Sequence, residues 1–338
     1  MKLFPMLICL CLLGSAVMCP AQDELPPATL AYARANNVPI ENIRYNEEKR
    51  LLVAQGVGVS DLSFLKGLKL ETLVLNRNSI TNLSPLAGMS IMGLWLNGNS
   101  ELKDISPLSH TPVAHLHLED TSVSNLAPIA RCPIQHLRIS RTQVTDLGPL
   151  KGTPLSVLCI DGTPVRDLSP LKGSSLEYLS AEHTEISDLS ALKDCPLLRG
   201  LQIDSSKVRS LSPLSGLKLR GIRISHTPVS DISPLKGMPL ADFTAHGSRI
   251  KDISPLAGMK SLESVGILGT EVTDLSPLLH VPLRSLWAST NVVAKNVHIL
   301  RRIETLNFIN TTTYPRGGWD VDWKEWDKRG LTVLSPND

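Results

Sequence analysis

The chain repeats one pattern of apolar and polar positions at intervals of 21 or 22 residues. Each copy opens with an apolar residue, a second one three positions later and a third two positions after that, as in Leu155, Leu158 and Ile160. Such short alternation predicts a strand with one buried face. The inward-facing pairs of the eleven regular copies are Leu73/Leu75, Leu94/Leu96, Leu116/Leu118, Leu137/Ile139, Leu158/Ile160, Leu179/Ala181, Leu201/Ile203, Ile222/Ile224, Phe243/Ala245, Val265/Ile267 and Leu286/Ala288, and Leu51/Val53 is interpreted as a degenerate first copy.

The second half of each repeat carries a turn sequence, which reads DLSPLKG at residues 167–173. Ser169 is expected to cap a short helical turn, and Pro170 suits its first position because proline lacks an N–H group. Gly173 allows the chain to leave the turn. Asp167 is expected to accept hydrogen bonds from backbone N–H groups at the bend, a role that Asn82 and Asn125 share in their copies. The repeated acid is therefore predicted to be architectural rather than catalytic.

A polar column follows the strands, five residues after the first inward leucine of each. Side chains of this kind bond neighbouring backbone groups, and we expect them to join consecutive coils. The column comprises Asn78, Asn99, Thr121, Thr142, Thr163, Thr184, Ser206, Thr227, Ser248 and Thr270.

The LxxLxL openings and DLSPLKG turns resemble the leucine-rich repeat family, specifically the short bacterial class typified by internalins, over roughly residues 51–310. The resemblance implies an α/β solenoid: a right-handed superhelix with a parallel concave β-sheet and short helical or 3-10 turns on the convex side. One repeat cannot bury its apolar face alone, so the repeats stack. The family column is usually Asn, whereas here it is mostly Thr, which puts the geometry of that ladder in question.

The segments outside the repeats predict export of the protein and capping of the two ends of the array. Residues 1–22 have the lysine, apolar run and small residues of a secretory signal peptide, so we expect export to a periplasmic, extracellular or cell-surface location without a membrane span. Cys19 as a lipid-anchoring site is the alternative. Residues 23–50 are predicted to form an N-terminal cap, 51–310 about 12 repeats, and 311–338 a C-terminal cap whose helix carries Trp319, Trp323 and Trp326 on one face.

Three cysteines, Cys132, Cys159 and Cys195, lie beyond the predicted signal segment. An odd number cannot pair completely within the chain. Cys132 and Cys195 occupy the same column three repeats apart, roughly 14 Å at ~4.8 Å per strand, which is beyond disulfide reach. All three are expected to be free, buried thiols.

Charge and motifs narrow the function. The 34 Lys and Arg residues nearly balance the 32 Asp and Glu residues, for a formal net charge of +2, so no nucleic-acid partner is expected. No nucleophile, zinc-protease or phosphate-loop motif occurs in the sequence. We therefore predict a monomer without catalytic residues, cofactor or enzymatic activity.

The side chains that the fold does not need should lie outward on the concave face. Trp95 and Trp287 are expected to be exposed there, and tryptophan is frequent at binding hot spots. Asp161, Glu182 and Asp204 form a column of acidic side chains on consecutive strands. Folding does not require this column, because like charges on neighbouring strands repel. The predicted binding residues are Trp95, His117, Glu119, Arg138, Asp161, Glu182, Asp204, Arg223 and Trp287.

Three functional hypotheses remain from the sequence. The first is an exported, non-enzymatic scaffold that recognises a protein, or a cell-surface glycan, through its concave face. The second is a metal-binding protein or enzyme that uses His115, His117 and His136, which fall on adjacent strands with Glu119 beside them. The third is a purely structural envelope component.

Overall fold

The structure is a computed structural model that describes residues 24–311 and 318–320. The predicted signal peptide, Cys19, Trp323 and Trp326 lie outside these residues. The chain divides into two compact units, Met1–Leu176 and Glu177–Asp338, called the N-terminal and C-terminal units below. Among the described residues, no helix combines the length and the apolar character that crossing a bilayer requires.

The N-terminal unit begins with helix α1 (Pro27–Ala35) and then builds coils, each made of a three-residue strand and a 3-10 turn. Tyr32 of α1 stacks on Phe64 of the first turn within the repeats, with the ring centroids 4.5 Å apart. The strands are β1 (Arg44–Asn46), β2 (Leu51–Val53), β3 (Thr72–Val74), β4 (Gly93–Trp95), β5 (His115–His117), β6 (His136–Arg138) and β7 (Val157–Cys159). The 3-10 turns are Ile40–Asn42, Ser63–Leu65, Ser84–Leu86, Ser106–Leu108, Ala127–Ile129, Gly148–Leu150 and Ser169–Leu171.

The C-terminal unit repeats the same coil and ends with helices α2 (Thr290–Lys295) and α3 (Val297–Leu300) before its last parallel strand. Its strands are β8 (Tyr178–Ser180), β9 (Gly200–Gln202), β10 (Gly221–Arg223), β11 (Asp242–Thr244), β12 (Ser264–Gly266), β13 (Ser285–Trp287), β14 (Phe308–Asn310) and β15 (Gly318–Asp320). The 3-10 turns are Ser190–Asp194, Ser212–Leu214, Ser233–Leu235, Ser254–Leu256 and Ser276–Leu278.

Within each unit the repeat strands pair in parallel, in register, as the leucine-rich repeat fold requires: β2 to β7 in one unit and β8 to β14 in the other. Two antiparallel pairings depart from the predicted parallel sheet, β1 with β2 and β14 with β15. Both place an extra strand against an outermost repeat strand, whose edge would otherwise lack partners. Trp319 lies in β15 and is therefore not part of a helix.

The inward-facing pairs form the core, as predicted. Leu158 and Ile160 are fully buried, and so are their counterparts in the other regular coils. The first copy is one residue out of the predicted register, because β2 pairs Leu52 with Leu73. Leu52 and Ala54, rather than Leu51 and Val53, are therefore the inward pair of that coil. A run of four apolar residues at 51–54 offers no alternation from which to choose between the two registers.

The cysteine prediction is confirmed for the described residues. Cys132, Cys159 and Cys195 are buried thiols that form no disulfide with one another. Burial raises the pKa of the Cys132 thiol, which keeps it protonated and unreactive.

The aspartates of the turns are architectural, as predicted, but the capping serine is assigned wrongly in the sequence analysis. Asp167 Oδ1 accepts a hydrogen bond from the Ser169 N–H group at 2.7 Å, and the Ser169 hydroxyl donates to Asp167 Oδ2 at 2.6 Å. Ser169 is already the first residue of the 3-10 turn, so its hydroxyl supports the aspartate instead of capping the turn. Gly173 has a φ of +72°, which allows the chain to leave the turn.

The polar column does two different jobs. Asn99 joins coils, because its Oδ1 accepts from the Ile80 N–H group and its Nδ2 donates to the Leu75 carbonyl of the preceding coil, both at 3.0 Å. The threonines do not join coils, contrary to expectation. Thr142 Oγ1, for example, donates at 2.6 Å to the carbonyl of Ile139 within its own coil, since a threonine side chain is too short to reach across.

Ser210 stands where most other copies have aspartate, and it makes a weaker turn. Its hydroxyl accepts from the Ser212 N–H group at 3.2 Å, against 2.7 to 3.0 Å at the eight aspartates.

We expect Ser210→Asp to raise the free energy of unfolding by about 0.5 kcal/mol and Asp231→Ala to lower it by about 1 kcal/mol. Urea denaturation at pH 7.5 measures both, and a destabilising Ser210→Asp would contradict this reading of the turn.

The Asn99 ladder gives a second prediction. Asn99→Thr leaves the Ile80 N–H group without a partner and removes one of the two hydrogen bonds to the Leu75 carbonyl, which keeps its bond from Asn78 Nδ2. It should therefore lower the free energy of unfolding by about 1 to 3 kcal/mol. Thr142→Ser keeps the bond within its own coil and serves as the matched control. Equal stability of Asn99→Thr and the unaltered protein in the same denaturation experiment would argue against a role for Asn99 in joining coils.

Candidate functional site

The nine predicted binding residues all lie on the outward side of the repeat strands, which we call the strand face. Within a unit it consists of the side chain between the two inward residues of each coil and the side chain that follows them. Trp95, His117, Glu119, Arg138 and Asp161 lie on the strand face of the N-terminal unit, and Glu182, Asp204, Arg223 and Trp287 on that of the C-terminal unit.

Trp95 and Trp287 are partly buried rather than exposed. The Trp95 ring lies 5.1 Å from that of His117, and the Trp287 ring lies 5.4 Å from that of Phe308, between ring centroids. Large side chains on neighbouring strands only ~4.8 Å apart necessarily cover one another. Among the described residues, the large apolar side chains with high exposure are Met92 and Leu197, at 50% and 45%.

Gly93 explains how Trp95 packs. A Cβ atom at Gly93 would lie 2.5 Å from Cζ3 and 2.8 Å from Cη2 of the Trp95 ring, so the indole occupies the space above this glycine. No positive φ requires glycine there. A glycine inside a strand, two residues before a tryptophan, is the sequence signal that could have predicted this packing.

Charge on the N-terminal strand face is paired. Arg138 and Glu119 form an ion pair at 3.4 Å, and their side chains are only 15% and 14% exposed. Burial raises the pKa of the Glu119 carboxyl, and the nearby Arg138 opposes that shift. Asp161 is tied to the adjacent strand, where its Oδ2 accepts a hydrogen bond from the Ser140 hydroxyl at 3.1 Å.

The histidines do not assemble as the metal hypothesis requires. His115 and His136 meet edge to face with ring centroids 4.5 Å apart, while His117 packs beside Trp95. Within residues 24–311 and 318–320, no group of three His, Cys, Asp or Glu side chains is arranged to hold a metal ion. Burial, with Arg138 as the next cause, lowers the pKa of His117 to about 3, so this imidazole is neutral at physiological pH.

On the C-terminal strand face, two carboxylates orient an arginine. We call Arg223, Glu182 and Asp204 the Arg223 cluster. Arg223 Nε lies 3.0 Å from Asp204 Oδ2 and 3.8 Å from Glu182 Oε1. Asp204 is itself fixed, because its Oδ1 accepts a hydrogen bond from the Ser225 N–H group. The Asp204 side chain is 9% exposed, whereas that of Arg223 remains 44% exposed.

Tyr178 borders the Arg223 cluster and was missed by the sequence analysis. It is 3% exposed, and a Cβ atom at Gly200 on the next strand would lie 2.6 Å from its ring. The tyrosine also contributes to the electrostatic environment of Arg223. As at Gly93, a strand glycine without a positive φ marks the place where an aromatic ring crosses the sheet.

His117 gives the site a pH dependence. Its folded pKa of about 3 lies below the value of about 6.5 for an unfolded histidine, so the unfolded state binds the proton first as the pH falls. The stabilising contribution is complete above pH ~6.5 and is lost toward pH ~3. We expect His117→Gln to remove about 2 kcal/mol of the loss in unfolding free energy between pH 7.5 and 5.

Urea denaturation across that pH range, with exposed His110→Gln as the control, checks this expectation. Burial likewise lowers the pKa values of His115 and His136, so part of the pH dependence persists in the variant. If the unfolding free energy of His117→Gln and of the unaltered protein depended on pH in the same way, His117 would not be buried and neutral in the folded state.

No protein-family model and no curated protein sequence matches the chain. Solved structures do. An internalin (inlF) from Listeria monocytogenes is 20% identical, with a TM-score of 0.70 over 85% of this chain and 95% of that chain. An internalin C2 (inlC2) from the same species is 29% identical, with a TM-score of 0.50 over 59% of this chain and 93% of that one.

A plant protein provides a more distant likeness. The leucine-rich repeat ectodomain of the membrane receptor kinase GASSHO1/SCHENGEN3 from Arabidopsis thaliana, in complex with Casparian strip integrity factor 2, is 12% identical. Its TM-score is 0.55 over 77% of this chain and 41% of that chain. Together with the 21- to 22-residue repeat and the in-register parallel strands, these similarities show that the chain has a leucine-rich repeat fold like that of the internalins.

Proposed function

We propose that the protein is a non-enzymatic scaffold that binds another protein through its strand faces, which are the concave faces in leucine-rich repeat arrays. The observation that carries the proposal is the Arg223 cluster. Two carboxylates hold one guanidinium group on the side of the strands opposite the inward-facing aliphatic residues. Asp204 also accepts the Ser225 N–H group of the next coil, but stacking of the coils does not require the guanidinium group, so a binding role accounts for its placement.

The geometry of the cluster suits recognition of a protein surface. Asp204 fixes Arg223 through Nε, and 44% of the Arg223 side chain is exposed. A side chain that is already ordered loses less conformational entropy on association. Arginine and tryptophan are also frequent among residues that dominate protein interfaces. Glu182, with 25% of its side chain exposed, supplies an acceptor beside the guanidinium.

Two further observations support the scaffold over an enzyme. His117 has a pKa of about 3, which makes it a poor general base near neutral pH. The similar plant ectodomain was solved in complex with Casparian strip integrity factor 2, and a binding role for this chain agrees with that. We also propose that residues 1–22 direct export and that the protein acts outside the cytoplasm as a monomer.

Substitution on the strand face tests the proposal. Glu182→Ala, Arg223→Ala and Trp287→Ala together should reduce recovery of the bound protein at least tenfold, because they remove the oriented arginine, its acceptor and a partly exposed indole. Crosslinked affinity capture from the cell-surface fraction of the source organism, read by mass spectrometry, measures this recovery.

The matched control removes similar groups away from the strand face: Lys251→Ala, Glu271→Ala and Leu197→Ala. Lys251 and Glu271 form an exposed ion pair at 2.8 Å, and Leu197 is 45% exposed. Proteins recovered by the unaltered chain and the control, but not by the strand-face variant, are the expected partners. Equal recovery by both variants, or no crosslinked protein at all, would contradict the proposal.

A further inference from the structure

Five unpaired polar atoms cluster on the strand face of the N-terminal unit. They are Asn76 Oδ1, Trp95 Nε1, Asn97 Oδ1, His117 Nδ1 and Glu119 Oε2, and they account for five of the eight buried side-chain atoms without a partner in the described residues. The five residues, which we call the indole patch, come from three consecutive coils. Three adjacent strands span about 10 Å, so a single small ligand is large enough to contact these atoms together.

Leaving a buried donor or acceptor unpaired costs free energy, and native proteins contain few such atoms. Their concentration in one patch, rather than along the whole array, indicates that something supplies the missing hydrogen bonds. Asn97 and Glu119 are partly exposed, so a small side-chain rotation is enough to bring their oxygens to a ligand.

The indole patch also offers an apolar surface. Trp95 lies across Gly93, is flanked by His117 at 5.1 Å and remains partly exposed. An aromatic ring held in this way presents apolar area without losing conformational freedom on binding.

The indole patch carries no net charge. Glu119 is paired with Arg138 at 3.4 Å, and His117, with a pKa of about 3, is neutral. A charged ligand would therefore find no uncompensated opposite charge here. The missing bonds need both an acceptor, for the indole N–H group, and donors, for the amide and carboxylate oxygens.

We propose that the indole patch binds a sugar ring of a neutral oligosaccharide, with the apolar C–H face of the ring against Trp95 and its hydroxyl groups bonded to Asn97 and Glu119. Each hydroxyl donates and accepts, and adjacent ones lie close together, which matches this mixed and dense set of atoms. A peptide backbone offers fewer groups in fixed directions. The site goes beyond the protein partner proposed above and is on a different unit from the Arg223 cluster.

Isothermal titration calorimetry of the full chain with three neutral probes, chitohexaose, cellohexaose and mannohexaose, tests the proposal at pH 7.5. At least one probe should bind, and Trp95→Ala should weaken that binding at least tenfold. Gly93→Ala should also weaken it at least tenfold, since the added methyl group would lie 2.5 Å from the indole. Leu197→Ala removes an exposed apolar side chain in the C-terminal unit, away from the strand face; it is the control and should change affinity less than twofold.

Thermal melts monitored by circular dichroism establish that the variants are folded, and Trp95→Phe, with its smaller ring, should give an intermediate loss if Gly93→Ala does not fold. Absence of binding by all three probes at millimolar concentration would mean that ordered water alone fills the patch, and it would overturn the proposal. Unchanged affinity in Trp95→Ala, or binding of hexagalacturonic acid in preference to the neutral probes, would overturn it as well. None of these results depends on the strand-face triple variant.

Discussion

The structure depends on one constraint: a coil of 21 or 22 residues cannot bury its aliphatic side chains alone. They become buried only when the next coil packs against them. Leu158 and Ile160 are fully buried because equivalent residues stack against them. The in-register parallel pairing follows from the same requirement, since any slip by one residue would turn the apolar side chains outward. Inward positions are therefore fully committed to packing.

The polar side chains fall into two groups: those that the stacking of the coils requires and those that it does not. Asp167 satisfies a backbone N–H group at its turn, and Asn99 bridges two coils, so both belong to the architecture. The side chains of Arg223 and Trp95 bond no backbone group: Arg223 pairs with carboxylates, and the Trp95 indole N–H group has no partner. Asp204 holds Arg223, and the Trp95 ring lies over Gly93. This ordering of side chains outside the core is the physical basis of the proposed binding role.

The sequence predicts what depends on periodicity and misses what depends on contacts between coils. The inward register follows from alternation, and it fails at residues 51–54, where four consecutive apolar residues remove the alternation. The position of each strand-face residue was predictable, but its burial was not. Trp95 is covered because Gly93 leaves room for its ring, and His117 is buried because Trp95 lies beside it. The reach of Asn99 against that of Thr142 likewise appears only once the distance between coils is known.

The account is tested most directly by one alanine scan in which every variant is measured twice, for unfolding free energy and for partner recovery. Turn and ladder positions such as Asp231 and Asn99 should change stability and leave recovery by the folded fraction unaltered. Strand-face positions such as Glu182 and Arg223 should change recovery with little effect on stability. Strand-face variants that lose stability as much as turn variants, with no separate effect on recovery, would contradict the claim that the two sets of residues have different roles.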